Sequence, residues 1–147
     1  MSDDRQTDDT GNALNDWNRT VISEFRANGG RVGGRFEGAT VLLLHTTGAR
    51  SGIERVNPLV YLEDGGRIYV FASFAGADRN PDWFHNLVAH RHVTIELGAS
   101  TSKATARPLE GAERDRIFSV QKERHPGFAE YEAKTARVIP VIELTRA

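Results

Sequence analysis

Apolar residues recur along this chain in two rhythms, and the switches between them mark its elements. Leu14, Trp17, Val21, Ile22 and Phe25 follow helical spacing, which lays them along one stripe of a helix. Asn28, Gly29 and Gly30 predict its end. A β-rich middle comes next. The run ATVLLLHTT (39–47) predicts a buried strand, and RVNPLVYLE (55–63) and RIYVFAS (67–73) predict two more, with Asp64, Gly65 and Gly66 as the tight turn between them. Pro58 has no amide proton, so it belongs at an edge or a bulge. Asn80-Pro81 predicts a helix start with the proline in the first helical position, and PDWFHNLVAH then presents Trp83, Phe84, Leu87 and Val88 along one face. Further strands are expected at 92–97 and 102–109, helices at 112–124 and 128–137, and a last strand at 138–144.

Six short strands with peripheral helices predict an α+β chain built on an antiparallel, barrel-like sheet rather than a βαβ repeat. Side chains fill the interior of so small a barrel, so a large ligand has to lie in an outer groove.

Length and charge narrow this picture. The chain has 147 residues, the size of one domain with a real core. Its start, MSDDRQTDDTGN, offers little to bury, so residues 1–12 are expected to form a flexible tail and 13–147 a single domain. A net charge of -1 argues against nucleic acid as a partner, and the absence of cysteine excludes disulfide and thiolate chemistry. No apolar run approaches the roughly 20 residues needed to cross a bilayer, and the acidic start is unlike a signal peptide. A cytoplasmic protein is expected.

Two segments carry more chemistry than turns require. In TTGARSGIERVNPL (46–59), Gly48 and Gly52 permit close backbone approach, the hydroxyls of Thr46, Thr47 and Ser51 can donate, and Arg50 and Arg55 add charged forks. This is no P-loop, since no lysine follows the second glycine and the next element is a strand. Both a solvated hairpin tip and an anion cradle fit it. In ASFAGADRNPDWFHNL (72–87), Ala72, Ser73, Gly76 and Ala77 are small enough for a flat ligand to lie against the backbone, and Arg79 adds a cation. Trp83 and Asn86 share a helical face, where one can stack on a ring and the other donate to it, although core packing behind a helix start explains Trp83 and Phe84 as well. The five histidines form no HExxH motif or four-residue helical pair, so no metal site is expected, and Ser51 lacks a hydrolase elbow.

Taken together, GARSGIERVNPL, ASFAGADRNPDWFHNL and the later YEAKTARVIPVIEL resemble the deazaflavin-dependent nitroreductase family of actinobacteria, from about Trp17 to Leu144. The resemblance implies a split β-barrel that uses reduced coenzyme F420 to reduce an electrophilic small molecule such as a quinone, an enone or a nitroaromatic. An FMN-dependent enzyme on the same barrel and a non-catalytic F420 carrier are the alternatives. F420 is a flat deazaflavin with a phosphodiester and a glutamate tail. By resemblance, Arg50, Ser51 and Arg55 hold the phosphate and tail, while Val56, Asn57 and Pro58 line the groove beside the ring. Ala72, Ser73, Gly76 and Ala77 form a backbone shelf, closed by Trp83 and Asn86. Hydride leaves ring carbon C5, so the protein needs no acid-base dyad, and Tyr131 is the candidate substrate-side hydroxyl. Phe74 stands where some relatives carry a lysine, and His125 and Phe128 where nitroimidazole-reducing relatives carry tyrosines, which favours quinones and enones. Some relatives touch membranes through the N-terminal helix, a role its apolar stripe also permits. Monomer and homodimer are both compatible with the sequence.

Overall fold

The computed structural model describes residues 9–32 and 40–146. Helix α1 (Asp9–Ala27) leads into strands β1 (Val41–Thr47), β2 (Glu54–Asp64) and β3 (Arg67–Phe71). A short 3-10 turn (Phe74–Gly76) and α2 (Asp82–Ala89) follow, then β4 (His92–Leu97), β5 (Ser100–Pro108), α3 (Gly111–Arg124), α4 (Gly127–Lys134) and β6 (Val141–Arg146). The six strands close into a fully antiparallel barrel in the order β1-β2-β3-β6-β5-β4. This is the barrel-like sheet the strand pattern predicted.

Side-chain alternation divides the apolar residues into three layers. Leu42, Leu44, Ile68, Val70, Ile95, Ala104, Ala106, Ile142 and Leu144 face inward, and α2 sets Trp83 and Leu87 among them. On one outer face Val41 and Leu43 meet Phe25 of α1, with Val56 and Val60 beside them. On the other, Tyr69, Phe71 and Val141 meet Ile117 and Phe118 of α3. Ala104 and Ala106 leave room for the larger residues opposite.

Several boundaries differ from the sequence expectation. Helix α1 begins at Asp9, inside the stretch assigned to the tail, while residues 1–8 lie outside the described residues. Val21 and Phe25 of its stripe are buried against the barrel, and the Leu14 and Trp17 side chains lie outside the described residues. Pro81 is the N-cap of α2, not its first helical residue: its φ of -70° and ψ of 158° are extended, and its carbonyl accepts from the Phe84 amide. Strand β3 stops at Phe71, two residues early, α4 ends at Lys134 rather than 137, and β6 starts only at Val141. These last three boundaries border the contacts of Arg137, described below. The β2–β3 turn is as predicted, because Gly65 (φ +62°) and Gly66 (φ +81°) supply the two positive φ values a two-residue hairpin needs.

A polar cluster fastens α1 to the barrel. Arg26 donates to both Glu96 oxygens at 3.1 and 2.6 Å, and the His45 ring lies between Glu96 (2.6 Å) and Glu54 (3.0 Å). The Arg26 hydrogen bond, outweighing burial, holds the Glu96 carboxyl below its ordinary value of 4.5.

Candidate functional site

Strand β2 changes partner halfway along. Residues Glu54–Val60 pair with β1, and only Tyr61–Asp64 pair with β3, so the first seven residues of β2 have an open edge on their β3 side. The Tyr61 amide bonds Thr40 and the Gly48 amide bonds Ile53, which fixes the alternation along β1 and β2 and makes Pro58↔Leu43 a pair without mutual hydrogen bonds. The nitrogen of Pro58 therefore faces the open edge, where a missing donor breaks no ladder. The expectation that Pro58 marks an edge is met. Arg55 and Asn57 share the inward parity of Leu59 and Tyr61, whereas Val56 and Pro58 have the outward parity, with Val56 against the α1 cluster.

The loop between β1 and β2 is a closed hairpin rather than a loose cradle. Gly52 donates to Gly48, and the exposed Ser51 hydroxyl accepts from the Ile53 amide at 3.1 Å, leaving Arg50 exposed at the tip. Asn86, 8% exposed on α2, anchors this tip: its Oδ1 accepts from the Ala49 amide at 2.9 Å and its Nδ2 donates to Thr46 Oγ1 at 3.3 Å. Trp83 and Asn86 also serve the packing of α2. Trp83 is 6% exposed inside the barrel, and both ends of the Asn86 amide are committed to the protein.

Facing the open edge is the segment that leaves β3. Continuing the β2–β3 register would set Ala72 against Leu59 and Ser73 against Pro58, but pairing ends at Tyr61↔Val70. Ser73 turns to φ -73°, ψ -36°, and the next carbonyls go to Arg137 instead. The Arg137 guanidinium donates to the carbonyls of Ala72 (3.1 Å), Ser73 (2.8 Å) and Ala77 (2.8 Å) and to Asn80 Oδ1 (2.8 Å). Burial lowers its pKa, partly offset by the charge of Asp78. Arg137 sits at a bend in the irregular segment 135–140, between the end of α4 at Lys134 and the start of β6 at Val141. Sequence reasoning missed Arg137; its only signal was an arginine just ahead of the apolar run VIPVIEL.

Helix α4 covers the shelf. A Cβ on Gly76 (φ +81°) would lie 2.9 Å from the Tyr131 carbonyl oxygen and 3.0 Å from the Lys134 Cβ, so glycine sets how closely α4 approaches. Tyr131 is half-buried, edge-on to Phe128 at 5.2 Å, and Phe128 is edge-on to Phe71 at 5.7 Å. Phe74 has the left-handed φ of 47° that a bulky residue seldom adopts, and the Arg79 guanidinium lies 5.2 Å from its ring centre. Two surface hollows of about 460 and 380 Å³ lie elsewhere, around Tyr61 and Arg124 and around Arg107 and Glu143, and neither includes a predicted site residue. Of the predicted site residues, Arg55, Val56, Asn57 and Pro58 lie instead along the unpaired edge of β2.

Comparison with known proteins shows the family. Residues 17–146 match the family described as F420H(2)-dependent quinone reductase. The chain belongs to that family. It is 38% identical over 126 residues, 83% of this chain and 85% of the other, to a Mycobacterium tuberculosis protein named F420H(2)-dependent quinone reductase. A solved F420-H2 dependent reductase, FDR-A, is 38% identical with a TM-score of 0.65, covering 71% of this chain and 92% of that one. A second structure, described as a domain-swapped dimer, is 34% identical with a TM-score of 0.67 over 89% of this chain and 98% of its own. The fold alone extends to the Vibrio cholerae protein HutZ, at 16% identity and a TM-score of 0.57. The resemblance carried by the two motifs, the split barrel and the F420-dependent class are borne out. Among the described residues no helix is long and apolar enough to cross a membrane.

The residues present fit the cofactor of that family. A groove with arginines at its tip and small residues and main chain along one wall matches a flat ring with an anionic tail.

Proposed function

We propose that this protein reduces quinones and related conjugated acceptors with reduced F420 bound along the open edge of β2. The observation that supports this reading is the partner change of β2, which leaves an unpaired edge between the two motif segments in a chain of this family. Bound reduced F420 supplies the hydride. Arg50 and Arg55 hold its anionic tail, and Ser51 keeps the tip in shape by accepting from Ile53. Val56, Asn57 and Pro58 form the β2 wall, and Ala72, Ser73, Gly76 and Ala77 the facing one. Trp83 supports α2 from inside the barrel, and Asn86 fixes the tip relative to it. Tyr131, carried over the shelf by α4, presents its hydroxyl to the acceptor and hands it a proton from solvent. The partly exposed rings of Phe128 and Tyr131 on α4 suit flat, conjugated acceptors.

The test is anaerobic incubation of the protein with reduced F420 and a panel of quinones, enones and nitro compounds, following the return of deazaflavin absorbance. Fastest recovery with quinones is expected. Lack of F420 binding would sink the reading, and tight binding without turnover across the panel would make the protein a carrier.

A further inference from the structure

Arg137 makes four guanidinium hydrogen bonds, three to main-chain carbonyls and one to Asn80, at 2.8–3.1 Å. The described peptide bonds are all trans, and in a trans peptide the N–H points opposite to the C=O of the same unit. Drawing the carbonyls of Ala72, Ser73 and Ala77 onto Arg137 therefore turns the amides of Ser73, Phe74 and Asp78 away from it. Strand geometry gives the direction. The Ala72 amide bonds Pro140 on the β6 side, so the Ser73 amide faces the β2 side, where the edge is open. Among the described residues neither the Ser73 nor the Phe74 amide donates to a backbone carbonyl, and Ser73 is only 9% exposed. Donors that face an open edge without a backbone partner are available to an acceptor from outside the chain. Hydrogen bonding of the carbonyls to a cation also polarises the peptide units and strengthens their N–H groups.

We infer that Arg137 is a positioning residue that aims a row of backbone amides, Ser73 and Phe74 first and Asp78 beyond them, at oxygen acceptors of the bound cofactor. The inference rests on the F420 reading and deepens it. Arg137 touches no ligand itself. Lysine in its place keeps the charge but lacks the planar fork needed to hold three carbonyls and an amide oxygen together.

The test combines F420 affinity by fluorescence titration with amide spectra of 15N-labelled wild type, Arg137→Lys and Arg137→Met, each checked for fold by circular dichroism and melting. In the wild type, F420 should move the Ser73 and Phe74 amide protons downfield. Affinity should fall about tenfold in Arg137→Lys and about a hundredfold in Arg137→Met, the range expected for losing hydrogen bonds to a charged group. The same amide shifts with a deazaflavin lacking phosphate and tail would assign the acceptor to the ring carbonyls; shifts with intact F420 alone would assign it to the phosphodiester. Both support the inference. A folded Arg137→Met protein that binds F420 like the wild type, or wild-type amides unmoved by bound F420, overturns it while leaving the functional reading in place. Failure of the wild type to bind F420 overturns both. Should Arg137→Met not fold, the lysine variant and the wild-type amides still decide.

Discussion

Replacing Gly76 with alanine tests whether α4 really rests on the shelf. Two costs add at this position. A non-glycine residue at φ +81° loses about 1–2 kcal/mol to left-handed backbone strain. The new methyl would also sit 2.9 Å from the Tyr131 carbonyl and 3.0 Å from the Lys134 Cβ, and relieving such overpacking costs about 1–3 kcal/mol. Gly65 provides the control, with φ +62° and nothing within 4 Å of an added Cβ. Thermal unfolding of the two variants separates the terms. At about 2–4 °C per kcal/mol for a chain of this size, Gly65→Ala should lower the midpoint by roughly 4 °C and Gly76→Ala by roughly 10 °C. Gly76→Ala should also raise the KM for the acceptor, since α4 carries Tyr131. Equal losses in the two variants would refute the close approach of α4 and, with it, the placement of Tyr131 over the groove.

Other expectations follow from single contacts. Asn86→Ala removes two hydrogen bonds from a buried position and should cost about 1–3 kcal/mol in denaturant unfolding, with weaker F420 binding as the tip drifts; unchanged affinity would separate the tip from the cofactor. Arg55→Ala should weaken F420 affinity more than Arg55→Lys, measured by fluorescence titration. The Glu96 carboxyl is depressed in the folded state, so its contribution is complete above its ordinary value of 4.5 and is lost as pH falls through the lower folded value. Melting temperature should therefore drop below pH 4.5 more steeply in wild type than in Glu96→Gln, and parallel curves would refute the linkage.

Much of the barrel could be read from the alternation of its strands, because Leu42, Leu44, Val70 and Ile142 occupy positions that only an inward face explains. Pro58 announced an edge and Gly65-Gly66 a hairpin for local reasons that tertiary structure did not override. The misread residues were those whose partners are distant in sequence. Ala72 and Ser73 look like strand yet bond Arg137, more than sixty positions away, and no local propensity encodes that pull. Asn86 and Trp83 were noticed because they share a helical face, but which way each points depends on the packing of α2 against β1. Both motif segments were visible as unusual chemistry. What joined them into one groove, the change of partner along β2, is a property of register and not of composition.

Arg137 has a further consequence for how the protein becomes competent. It lies just ahead of β6, the C-terminal strand, which inserts between β3 and β5 and completes the closed ladder. Arg137 and the docked strand thus meet the β3 end of the shelf together. A chain truncated before β6, or one paused with it undocked, has two unpaired strand edges, on β3 and β5. A cofactor that binds the closed barrel better than a partly closed form stabilises the finished protein by mass action.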